Sequence, residues 1–119
     1  MAKVLIVARK ISGLLFLLSN CAWAELTSEQ EAARVKGIFL YNMNDGYTSK
    51  PFLEIAARAG DGESQYYLAE LIRLRKKYIT AEAQALYEAA AEKGDIYAMM
   101  RLAEKKMIFV TLWRTARLI

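Results

Sequence analysis

Glu88 and Glu92 stand one helical turn apart in a run of alanines, the spacing at which paired carboxylates can divide acid and base roles in hydrolysis. Solvated helix faces carry such pairs routinely, and Arg58 and Lys93 suit surface charge balance, so the pair is read as surface charge. The chain has no histidine, which removes the proton carrier of serine-histidine and cysteine-histidine catalysis. Cys21 is the single cysteine, which excludes an internal disulfide and argues against a tetrahedral zinc site. Gly60-Asp61-Gly62 is too short to cradle a phosphate and has no lysine after it, so it reads as a turn. Asn42 to Gly46 offers oxygen atoms but lacks the spaced acids and closing glutamate of a calcium loop, and it too reads as a turn. No catalytic, cofactor-binding or metal-ligating residue is expected, no cofactor is expected, and the chain is expected not to be an enzyme.

The side chains that remain are suited to contact. Tyrosine supplies area and a hydroxyl at low entropic cost, and Tyr66, Tyr67, Tyr87 and Tyr97 crowd the middle of the chain. Arg73, Arg75, Lys76 and Lys77 gather where a helix should end, favoured there by the negative pole of its dipole and able to meet an acidic surface. Tyr66, Tyr67, Tyr97, Arg73 and Arg75 are the candidate partner-binding residues.

The net charge of +4 does not make a nucleic-acid face. Lys3, Arg9 and Lys10 precede every acidic residue, and residues 25–119 carry 14 basic and 13 acidic side chains. Within them, residues 25–104 are net acidic, whereas Lys105, Lys106, Arg114 and Arg117 make the last stretch basic. No nucleic-acid partner is expected.

The elements that must position the tyrosines are helices, expected over 27–41, 50–59, 62–76, 81–93 and 96–107. Thr27 with Gln30, or Ser28 with Glu31, supplies a capping box for the first. Ser49, Lys50 and Pro51 read as the start of the second, because proline is tolerated in a first turn. Compared with itself at an offset of 34, the chain matches Glu54, Ala56, Ala57, Gly60, Asp61, Leu68, Ala69 and Glu70 with Glu88, Ala90, Ala91, Gly94, Asp95, Leu102, Ala103 and Glu104. Gly60 and Gly94 can take the left-handed conformation that ends a helix, and Asp61 and Asp95 can cap the next one. Each unit therefore reads as helix, tight turn, helix, with paired alanines letting the backbones approach.

These residues resemble the Sel-one-like repeats, relatives of the tetratricopeptide repeats. Ala83 to Asp95 is similar to the family's first helix and turn, with Tyr87 at its aromatic position, and Gln65-Tyr66-Tyr67-Leu68-Ala69 is similar to the start of its second helix. The resemblance covers residues 50–104 and departs from the family at Arg73 to Tyr78, where a glycine-rich turn is usual and this chain has no glycine. It implies an all-α fold, a short right-handed α-solenoid of antiparallel helix pairs, with repeat units near 50–83 and 84–107 after an irregular helix and loop at 25–49. It also implies a protein-binding role. Among small exported members are immunity proteins that neutralise lipase effectors of type VI secretion, so a secreted toxin is one expected partner and an envelope adaptor or scaffold is the alternative role.

Residues 1–24 have signal-peptide architecture: a basic start, an apolar stretch from Ile11 to Leu18, and Ala22-Trp23-Ala24 at the cleavage point. A periplasmic location is expected. Leu18-Ser19-Asn20-Cys21 resembles a lipoprotein signal, so membrane anchoring through Cys21 lipidation stands as the alternative. After Glu104 the repeat pattern stops, and the atypical apolar and basic tail at 108–119 has three readings: a closing helix, sequence foreign to the repeat such as follows a frameshift, or a membrane-surface helix. If the tail leaves the last helix uncovered, the exposed leucine and methionine favour a homodimer or a partner.

Overall fold

The computed structural model describes residues 25–118, and all of its regular structure is helical. The signal-peptide reading and Cys21 lie outside the described residues. Among the described residues five helices follow one another: α1 (Ser28–Asn42), α2 (Gly46–Arg58), α3 (Gly62–Lys76), α4 (Ala81–Glu92) and α5 (Ile96–Arg117). Each packs against the next, as turns of three or four residues require of neighbouring helices, and α1 also touches α3.

One turn device is used three times. Gly60 and Gly94 have φ of 96° and 93°, and the amides behind them close two reverse bonds. Asp61 N–H donates to the Ala56 carbonyl at 3.1 Å and Gly60 N–H to Ala57 at 3.0 Å; Asp95 and Gly94 repeat this on Ala90 and Ala91. The aspartates then accept from Ser64 N–H and Ala98 N–H, starting α3 and α5. Between α1 and α2 the same bonds run from Asn44 to Tyr41 and from Asp45 to Leu40, with Asn44 left-handed at φ 60°. Asparagine tolerates that conformation better than other side chains do, so Asn44-Asp45 replaces Gly-Asp. The caps of α1, α3 and α5 are Thr27, Asp61 and Asp95, which places all three long helices in one 34-residue register.

Two expectations are corrected, and one choice between alternatives is settled. Helix α2 begins at Gly46, capped by Asp45, a full turn before Ser49-Lys50-Pro51. Pro51 therefore sits inside the helix. Ser49 is fully buried, and its hydroxyl donates to the Gly37 carbonyl at 2.9 Å, tying α2 to α1 rather than capping anything. Of the two capping boxes, the Thr27–Gln30 pair forms: Gln30 N–H donates to Thr27 Oγ1 and Thr27 N–H to Gln30 Oε1. Helix α5 does not stop near residue 107 but runs to Arg117.

Small residues set the close packing. Ala56, Ala69, Ala83, Ala90 and Ala98 are fully buried, and Ala57 nearly so, forming the seam between hairpins. Gly37 lets α1 approach the backbone of α2, since a Cβ there would lie 2.9 Å from Leu53 Cδ2 and 3.0 Å from the Leu53 backbone nitrogen. Leu53 anchors a cluster with Ala57 and Leu68; Tyr87, the largest fully buried side chain, anchors a second with Ala69, Ala83, Ala90 and Ala98. Leu86 and Ile72 border both clusters, so the core is continuous. The glycine-free connection after α3 is closed by Lys77, held left-handed at φ 64°, before Thr80 caps α4.

Candidate functional site

Glu70 is the polar centre of the molecule. It lies on α3 between Ala69 and Leu71 and is 3% exposed. A buried carboxylate is costly unless its oxygens are bonded, and here donors from three helices meet it. Tyr87 Oη on α4 donates to Oε1 at 2.5 Å, Arg101 on α5 donates through Nε at 2.8 Å, and Arg73, one turn along α3, donates to Oε2 at 2.7 Å. Arg101 also reaches Glu104 at 3.1 Å. The cluster pins α3, α4 and α5 together.

Burial pushes the Glu70 carboxyl up, but bonds from Arg73, Tyr87 and Arg101 outweigh it and hold the group below the usual carboxylate range. The Tyr87 phenol is pushed up by burial and then by its bond to Glu70. Bonds to Glu70 raise Arg73 and Arg101. Every member of the cluster is thereby fixed in its ordinary neutral-pH state. A general acid or base must change state near the working pH, and these groups are moved away from doing so. What the arrangement does is hold helices in place.

Beside this clamp runs a stripe of aromatic rings across α1, α3 and α5. The ring centroids of Tyr41 and Tyr67 are 4.7 Å apart, those of Tyr67 and Tyr66 5.3 Å, and those of Tyr66 and Tyr97 5.8 Å. Tyr66 also lies 6.2 Å from Tyr87, which joins the stripe to the clamp. Tyr41, Tyr66 and Tyr67 are half-buried and Tyr97 is 65% exposed. Burial raises the phenols of Tyr41, Tyr66 and Tyr67, and the Glu70 charge adds to it at Tyr41 and Tyr66, so they present neutral hydroxyls. Tilted contacts between neighbouring rings limit their rotation, leaving a preorganised surface of aromatic edges and hydroxyl groups.

The structure brings Tyr66, Tyr67, Tyr97 and Arg73 to this one region and separates Arg75 from it. Arg75 is exposed on the other side of α3, at an open groove with Tyr47, Lys50 and Glu54 of α2. The repeat positions Ala56, Ala57, Leu68, Ala69, Tyr87 and Ala90 are buried, while Ala91 and Leu102 are half-buried. Ala103, the counterpart of Ala69, is exposed, because no further hairpin among the described residues packs over α5. Glu88 and Glu92 are exposed on α4, and Glu88 accepts from Gln84 Nε2 at 2.8 Å.

Sequence reasoning passed over Glu70, Arg101 and Tyr41. A signal was present for the first: an acid inside Leu68-Ala69-Glu70-Leu71-Ile72 interrupts an otherwise apolar run and recurs at Glu104. Arg101 has no counterpart at the repeat offset, where Tyr67 stands, so only the fold shows its partner. No family model, curated protein or solved structure matches the chain.

Proposed function

We propose that this chain is a non-enzymatic protein-binding module, built as a short right-handed solenoid of the Sel-one-like kind and exported to the periplasm. Its contact face is the stripe of Tyr41, Tyr67, Tyr66 and Tyr97, with Arg73 and Arg101 beside it. One observation carries this reading: four tyrosines from three helices stand in tilted or T-shaped ring contact on a scaffold locked by Glu70. Aromatic side chains already fixed in place lose little freedom on binding, which is what a tight protein contact requires. The groups nearest the stripe are held in their neutral-pH states, which suits contact rather than proton transfer.

Among binding roles we favour immunity against a secreted lipase effector, on the strength of the resemblance of residues 50–104 to the repeat family. The test is protection of cells that express, in the periplasm, a toxin encoded beside this gene. Wild-type protein should protect, and Tyr97→Ala at equal abundance should protect poorly. A well-expressed wild-type protein that gives no protection against such a toxin contradicts the immunity role.

A further inference from the structure

We infer that the outer half of α5 is a docking helix for an anionic lipid surface, a second contact separate from the tyrosine stripe. Up to Lys105 this helix belongs to the body: Ala98 is buried, Leu102 packs on the core, and Lys105 Nζ reaches Gln84 of α4. Beyond it, every described residue is exposed, including Met107, Ile108, Phe109, Val110, Leu112 and Trp113. A fully exposed row of large apolar side chains on a regular helix is costly in water and calls for a cover.

The arrangement of charge says what covers it. At about 100° per residue, Ile108, Phe109, Leu112, Trp113 and Ala116 fall within an arc of about 140°, and Lys106, Arg114 and Arg117 within about 80° beside it. The Arg117 guanidinium lies 4.7 Å over the Trp113 ring, at the boundary between the two arcs. Val110 falls among the cations, in an open groove with Lys106 and Arg114, whose long stems can cover it while their heads reach outward. Aromatic and aliphatic side chains on one side with lysine and arginine flanking them are what an interfacial helix needs, with apolar groups in the acyl boundary and cations at the phosphates.

Glu104 is itself bonded to Arg101, and the segment's three cations, Lys106, Arg114 and Arg117, have no acidic partner among the described residues. A second copy seated on this face would bring like charges together. An anionic lipid surface supplies the opposite sign. Among the described residues no helix is long and apolar enough to cross a membrane, so the segment is assigned a place along the surface.

The test uses the full chain with Trp23→Phe, leaving Trp113 as the one tryptophan. Its emission is followed on adding vesicles of phosphatidylcholine alone or mixed with phosphatidylglycerol, and sedimentation velocity is run without vesicles. The expected result is a blue shift with the anionic vesicles only, diminished by salt, and weakened about thirtyfold by Arg114→Gln with Arg117→Gln, at about fivefold per cation. An unchanged Trp113 emission with anionic vesicles overturns the assignment. So does an equal shift with both vesicle types, or a protein-concentration-dependent shift without lipid accompanied by a sedimenting dimer, which would assign the face to a second copy.

Discussion

Tyr87 on α4 donates a 2.5 Å hydrogen bond to Oε1 of Glu70 on α3, and both side chains are almost wholly out of water. Arg101 of α5 bonds the same oxygen at 2.8 Å, so one buried atom joins three consecutive helices. Two small packed hairpins have few neighbours over which to spread their stability, and this polar joint supplements a core made largely of alanine.

Removing the phenol alone tests the joint from the tyrosine side. Tyr87→Phe keeps the ring and its packing but deletes a bond to a charged acceptor, a loss of about 2 kcal/mol. Glu70→Ala should cost more, about 3 kcal/mol or above, because it leaves Arg73 and Arg101 without their shared partner. Denaturant titration of the three proteins checks the order.

Stability should fall at both ends of the pH range. Glu70 is depressed in the folded state, so its contribution is present above the unfolded carboxylate value of about 4 and is lost as pH falls through the lower folded one. Tyr41, Tyr66, Tyr67 and Tyr87 are raised, so theirs is present below the unfolded phenol value of about 10 and is lost as pH climbs through the folded values. Glu70→Gln should flatten the acid arm of a stability-against-pH curve and shrink the alkaline arm without removing it, because burial is the larger cause of the raised phenols and the Glu70 charge the smaller one at Tyr41, Tyr66 and Tyr87.

Backbone conformation gives a paired prediction of opposite sign. Lys77 and Gly94 both have positive φ, at 64° and 93°. Lys77→Gly should stabilise the fold by about 0.5 to 1 kcal/mol, while Gly94→Ala, with open space around the new methyl, should cost about 1 kcal/mol through strain alone. Gly37→Ala should cost about 1 to 3 kcal/mol, because the methyl meets Leu53 side chain and backbone. Thermal unfolding of the three variants reads all of these.

Those glycines also mark how far the sequence could be read. Gly60-Asp61 and Gly94-Asp95 announce their turns, because a left-handed glycine followed by a capping aspartate is a local device with a local signature. Asn44-Asp45 does the same job less visibly, and Pro51 drew the start of α2 a turn too late, since a proline six residues into a helix looks like a proline in its first turn. The all-helical fold and the tight helix-turn-helix units were therefore legible. The clamp was not: its bonds span 17 and 31 residues, and nothing local to Glu70 names Tyr87 or Arg101 as partners.

Tyr97 separates binding from folding. It is 65% exposed and at the open edge of the stripe, so Tyr97→Ala should change stability by less than about 0.5 kcal/mol. The same substitution should weaken partner binding by 1 to 2 kcal/mol, about tenfold, if the stripe is the contact face. Comparison of unfolding curves with binding isotherms distinguishes the two effects.

The most direct test of a buried carboxylate holding the hairpins together is a double-mutant cycle between Glu70→Gln and Arg101→Met, read by denaturant unfolding of all four proteins. Direct coupling across α3 and α5 predicts an interaction free energy above about 1 kcal/mol. Additivity within about 0.3 kcal/mol would contradict it, and with it the claim that the tyrosine stripe stands on a locked scaffold.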